Sequence, residues 1–163
     1  MDTLPSVYIE TTIPSLLTAR PSKDAVVAGQ QEITRRWWSY QENRYRLFVS
    51  ELVIEEAMKG DADAAQKRTE AIAGLPLLEV DDDIVFLTNA LLESGIIPSK
   101  AAVDAAHIAV GCRYAIDYLL TWNCKHIANA EIIRGLSFVV SEAGYNLPVI
   151  CTPLELMGGY DDD

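Results

Sequence analysis

VYIETTIPS, residues 7–15, runs three apolar residues into a glutamate, two threonines and a proline. Val7–Ile9 shows no polar alternation, as in a strand buried on both faces of a parallel sheet, and Pro14 marks a helix start shortly after it. Similar short apolar runs recur at Leu47–Val49, Leu77–Val80, Tyr118–Leu120 and Val149–Cys151, separated by longer segments rich in Ala, Glu, Gln and Ile. That β-α-β-α rhythm predicts an α/β protein, a parallel sheet covered by helices on both faces. A strand built for burial should not end in a carboxylate, so Glu10 calls for a partner.

The chain has 163 residues, half of them apolar, enough to bury about 70% of the unfolded surface without disulfide or structural metal. Residues 1–158 read as one domain and 159–163 as an acidic tail. No apolar stretch approaches the ~20 residues that span a bilayer, and MDTLPS has neither a basic segment nor a cleavage pattern. The expectation is a cytoplasmic protein with no membrane association. Cys112, Cys124 and Cys151 are odd in number and lack C-x-x-C spacing, which suits a reducing compartment.

The formal charge of −11 excludes a broadly basic nucleic-acid-binding face, so any phosphate handling must be local. Basic residues cluster at Arg35, Arg36, Arg44 and Arg46, and again at Arg113, Lys125 and His126.

Residues 24–45 place apolar groups at 26, 33, 37 and 40, one stripe of a helix, with Trp37 and Trp38 read as packing residues. Further helices are expected over 51–59 and 62–73, broken by Gly60-Asp61. Asp81–Asp83 should cap and charge a helix running to about 94, and Pro98-Ser99 should start the next. Gly135 is expected to interrupt the following helix, and Pro148 to introduce the last strand.

Three places are left over. AAVDAAHIAVGC, residues 101–112, is a helix apolar nearly all round except for Asp104 and His107. Asp104 either caps a neighbour, pairs with Lys100 or meets a cation; His107 is a hydrogen-bonded core or rim residue or a ligand. In SELVIEEAMKG, residues 50–60, Glu55 and Glu56 lie about 100° apart around a helix axis, so they face different ways. Glu56 falls on the face of Leu52 and Val53, whereas Glu55 is spaced with Glu51 and Lys59 as solvated charges are, so Glu56 should point inward. DYLLTWNCKH, residues 117–126, ends its strand with Thr121 and Asn123; Asn123 reads equally as a turn former, and Cys124-x-His126 alone is no zinc site.

In open parallel sheets ligands bind beyond the carboxyl ends of strands, where the strand order reverses. Glu10, Glu56 and Asn123 fall at or just past such ends, and Asp104 lies on the helix leading into the strand before Asn123. Converging oxygen ligands would repel unless a hard cation held them, which suits Mg²⁺ or Mn²⁺.

VYIETTIPS, the segment from Ser50 through Glu56 to Gly60, DAAHIA from Asp104, and LLTWN ending at Asn123 resemble, in order and spacing, the acidic motifs of the PIN domain family, in particular its VapC-like toxins. The likeness runs from about Val7 to Ile150. It implies a three-layer α/β/α sandwich with a five-stranded parallel sheet, and a Mg²⁺- or Mn²⁺-dependent endoribonuclease. It also implies a homodimer and a small antitoxin as partner. By resemblance Glu10, Glu56, Asp104 and Asn123 are the catalytic and metal-binding residues. Glu10 and Asn123 depart from the commonest pattern. Thr121 matches the threonine before the fourth position, and Thr11 or Thr121 would orient water or a carboxylate, with helix capping the other role for Thr11. A cation there would activate a water and offset charge on the leaving 3′-oxygen, giving 5′-phosphate and 3′-hydroxyl ends. Arg35, Arg36, Arg113 and Lys125 are candidates to hold flanking RNA phosphates. The alternative is a catalytically weak or inactive PIN-like module that binds RNA or protein. A phospho-accepting signalling domain lacks its adjacent acidic pair after the first strand, and a Ser-His-Asp hydrolase lacks a G-x-S-x-G motif.

Overall fold

The computed structural model describes residues 3–158; the acidic tail expected at 159–163 lies outside them. Among the described residues five strands, β1 (Ser6–Ile9), β2 (Arg46–Ser50), β3 (Leu77–Leu78), β4 (Tyr118–Leu120) and β5 (Val149–Cys151), form one sheet in the order β3-β2-β1-β4-β5. Every pairing is parallel. The central strand β1 is buried along its whole length, and Tyr8 stands opposite Phe48 on one side and Leu119 on the other.

Seven α-helices connect the strands: α1 (Thr12–Thr18), α2 (Ala25–Tyr40), α3 (Glu51–Ala57), α4 (Ala62–Ile72), α5 (Asp82–Glu93), α6 (Ala102–Arg113) and α7 (Ala130–Glu142). Helix α1 packs on α2 and α4, while α5 packs on α6 and α7. The chain steps from β1 to β2 to β3 in one direction and then crosses back to β4 and β5. Right-handed crossovers therefore put the two helix groups on opposite faces, an α/β/α sandwich. No helix among the described residues is long and apolar enough to cross a membrane.

Local chemistry sets most boundaries. Asp24, Asp61, Asp81 and Asn129 each accept a backbone N–H at the start of α2, α4, α5 and α7. The capping role expected of the acidic triplet is thus Asp81's, with Asp82 and Asp83 in the first turn of α5.

Three expectations shift. Val26 is 70% exposed, whereas Trp37 is buried and Ile33 and Tyr40 pack against the core as their spacing predicts; α2 also buries Gln31 and Thr34, so its inner face takes in polar residues. The third strand stops at Leu78, because Val80 turns away to donate its N–H to Glu51 Oε2, leaving a short edge. Gly135 does not interrupt α7. A Cβ there would lie 2.8 Å from Ile96 Cδ1, so the glycine serves the close approach of α7 to the turn after α5 rather than a stop.

Candidate active site

The chain order reverses at β1, between β2 and β4, so the crevice of the sheet opens beyond the carboxyl ends of β1 and β4. Glu10 stands there. Its N–H remains in the ladder, donating to Leu120 O, while its side chain is only 3% exposed. Three donors fall on one oxygen, Oε1: the Thr12 hydroxyl, the Thr12 N–H at 3.2 Å and the Thr121 hydroxyl at 2.6 Å. No protein donor among the described residues reaches Oε2, and no buried side-chain N or O atom lacks a partner, so Oε2 opens to the crevice.

Glu56 comes from the last turn of α3. The sequence argument for its inward direction holds, with Glu55 exposed and Glu56 half-buried. Its Oε1 accepts from Thr11 Oγ1 at 2.7 Å and meets His107 Nε2. Thr11 precedes α1 but makes no side-chain cap bond, so its hydroxyl serves the carboxylate. Burial pushes the Glu56 carboxyl up, but the His107 bond and charge, the Thr11 hydroxyl and Lys59 outweigh it and hold the group below its ordinary value.

His107 joins the site from the middle of α6, fully buried. Its Nδ1 lies 2.6 Å from the Tyr8 hydroxyl, which lies 2.7 Å from Ser50 Oγ. Burial pushes the Tyr8 phenol well above its ordinary value, against the opposing Ser50 bond, so it keeps a proton to share. Ligand atoms of Glu10, Glu56 and His107 all lie within 4.8 Å of one another. Two carboxylates, each with one oxygen outside the hydrogen-bond network, and one imidazole form a donor set that suits a divalent cation.

The other two expected site residues sit beside this group. Asp104, one turn before His107 on α6, accepts from or shares a proton with His126 Nδ1 at 3.0 Å, and is not a member of the cluster. Asn123 Oδ1 accepts the His126 N–H at 3.0 Å, holding the turn after β4, as the turn-forming reading requires. Its own N–H donates to Thr121 Oγ1, the hydroxyl that serves Glu10. Asn123 therefore connects the turn carrying His126 to the buried carboxylate.

Of the basic candidates, Arg113 pairs with Asp81 and Asp83, and Arg35 and Arg36 pair with Glu32. Sequence reasoning left His107 open and did not connect His126 to Asp104. The available signal for His107 was a histidine three residues after Asp104 on an otherwise apolar helix; for His126 there was none, since its partner lies 22 residues away.

The fold is PIN-like, the α/β/α arrangement of VapC structures. A chain of VapBC2 from Rickettsia felis, crystallised bound to a DNA fragment from its promoter, is 13% identical; the match covers 90% of this chain and 97% of that one, with a TM-score of 0.58. Mycobacterium tuberculosis VapC20, a sarcin-ricin loop cleaving toxin, is 16% identical over 86% of this chain and 96% of its own, with a TM-score of 0.52. No family model and no curated protein matches the sequence. At these identities the likeness establishes the fold.

Proposed function

We propose that this protein is a divalent-metal-dependent endoribonuclease of the VapC-like toxin type, acting on RNA phosphodiester bonds. The observation that carries the reading is Glu10: a buried carboxylate at the switch point of the sheet, with Oε2 open to the crevice and Glu56 and His107 alongside. The fold it shares with an RNA-cleaving toxin supports the substrate class.

Glu10 and Glu56 hold the cation, Mg²⁺ or Mn²⁺, with Asp104 and Asn123 completing the crevice from its α6 and β4 side. When bound, the cation supplies positive charge at the scissile phosphate and lowers the pKa of a water. The chain's own residues do the rest. Thr11, Thr12 and Thr121 hold the carboxylates in place through Oε1. His126 and Lys125 lie on the turn beyond β4, with Asp104 of α6 bonded to His126, where an RNA backbone would pass. Arg35, Arg36 and Arg113 sit in solvent-screened surface ion pairs, weak enough to exchange a carboxylate for a phosphate. A small antitoxin, a homodimer and a cytoplasmic setting belong to the same proposal.

The experiment is cleavage of structured RNAs, including a sarcin-ricin stem-loop, with Mg²⁺ or Mn²⁺ and with chelator. Metal-dependent cleavage that disappears in Glu56→Gln is expected; equal activity in wild type and in both Glu56→Gln and Asp104→Asn would sink the proposal. The engagement of Asp104 by His126, away from the cluster, favours a second reading, a PIN-like binding module without catalysis. Calorimetry separates the two, since that module shows no site-dependent heat with either metal.

A further inference from the structure

His107 is buried on every side, and its two ring nitrogens face different worlds. Nδ1 looks into the core toward Tyr8 and Ser50, all three side chains being 0% exposed. Nε2 meets Glu56 at the crevice, and a ring nitrogen of His107 lies within 4.8 Å of a Glu10 carboxylate oxygen. Metal-binding imidazoles almost always donate their other N–H to a fixed acceptor, which sets the tautomer and turns the ring. Tyr8 is placed to be that acceptor. Without a cation Nε2–H donates to Glu56 and Nδ1 accepts the Tyr8 O–H; in the other tautomer Nδ1–H donates to the Tyr8 oxygen, the Tyr8 O–H donates to Ser50 Oγ, and the Nε2 lone pair is released from the Glu56 bond for an ion.

We infer that His107 ligates the cation through Nε2, so that the centre holds two carboxylates and an imidazole and selects Mn²⁺ over Mg²⁺. The inference rests on the metal-dependent reading above and fixes the composition of its site. Mg²⁺ prefers hard oxygen ligands and keeps its waters, whereas affinity for nitrogen donors rises from Mn²⁺ onward through the divalent series. The three groups are close enough to share one ion, their ligand atoms all lying within 4.8 Å of one another. Both glutamates keep Oε2 outside their hydrogen bonds to threonine and histidine, so each retains an oxygen for the ion. Asp104, held by His126, then stands outside the inner set of ligands.

The sequence contains two histidines, His107 and His126, which makes the test decisive. Mn²⁺ bound to the whole chain is examined by pulsed electron paramagnetic resonance. The expected result is an imidazole ¹⁴N coupling that changes to a ¹⁵N pattern on ¹⁵N-histidine labelling, persists in His126→Asn and is lost in His107→Asn. Because His107→Asn removes a buried ring, Tyr8→Phe is the companion variant. It keeps the ring and removes its acceptor, and Mn²⁺ affinity should fall roughly 10-fold with the coupling retained. Titration should also show wild type binding Mn²⁺ at least about 10-fold more tightly than Mg²⁺, as expected for a nitrogen-containing site. Mn²⁺ bound without nitrogen coupling, or a coupling lost in His126→Asn alone, overturns the ligation by His107 and leaves the ribonuclease proposal standing. Failure to bind either metal overturns both.

Discussion

Glu56 and His107 join α3 to α6 through a ring that is fully buried, whereas Asp104 and His126 join α6 to the turn after β4 with side chains 23% and 17% exposed. The chemical pair is the same. The first is braced from three elements: Thr11 binds Glu56 from the α1 side, Tyr8 of β1 holds the imidazole, and Ser50 of β2 holds Tyr8. The second is held by one side-chain contact and by Asn123, which fixes the backbone of His126 and not its ring. A carboxylate–histidine pair thus acquires fixed geometry from what stands behind it, and among the described residues the braced pair is the one grouped with a further carboxylate, Glu10.

The comparison breaks most visibly in catalysis. Glu10→Gln and Glu56→Gln should each lower metal-dependent RNA cleavage on the order of 100-fold or more, since a Lewis-acid centre contributes several kcal/mol to such reactions. Asp104→Asn should lose roughly 10-fold, as an outer partner of a metal site does. Single-turnover rates at saturating Mn²⁺ compare the three, and an equal loss in all of them would place Asp104 on the cation with the others.

Stability gives a second measure. Tyr8→Phe removes two buried hydrogen bonds and should cost about 1–3 kcal/mol in urea denaturation. His126→Asn breaks a partly exposed pair and should cost no more than about 1 kcal/mol. If the order reverses, the turn after β4 is braced more firmly than its contacts indicate.

The smallest effect comes from a carboxylate supported only at the surface. Asp81 is held below its ordinary value by the Ile84 N–H at the start of α5 and by Arg113. A depressed carboxylate contributes stability above its unfolded pKa and loses it as pH falls through the folded one. Asp81→Asn keeps a capping oxygen and removes the charge, so its deficit in stability should be constant at neutral pH and shrink below the ordinary aspartate value. Denaturation at pH 7 and pH 3 checks this, and a deficit that grows on acidification would contradict it.

The sheet and the direction of Glu56 were legible because both follow from local spacing. Uninterrupted apolar runs mark doubly buried strands, and the 100° between neighbouring helix positions separates Glu55 from Glu56. What the sequence hid depends on distant contacts. The acceptor behind His107 comes from β1, 99 residues away, and is in reach because β1 is the central strand. Asp104 meets His126 only because the turn at Asn123 folds back toward α6. Gly135 looked like a helix stop until the approach of Ile96 showed why a side chain is absent there. The polar stripe of α2 was equally unreadable, since Gln31 and Thr34 are buried against partners outside the helix: Ser22, Arg20 and Trp122.

That last partner has a use of its own. Trp122 donates its backbone N–H to the Thr12 hydroxyl, which donates to Glu10, and its indole N–H to Thr34. The Trp122 backbone is therefore two hydrogen bonds from the carboxylate, and a shift of that backbone when the charge at Glu10 is compensated should move the indole and its emission. Trp37, fully buried and bonded to the Leu156 carbonyl, and the half-buried Trp38 supply the background in the same spectrum. One hydrogen-bonded network thus joins an indole to the carboxylate of the crevice.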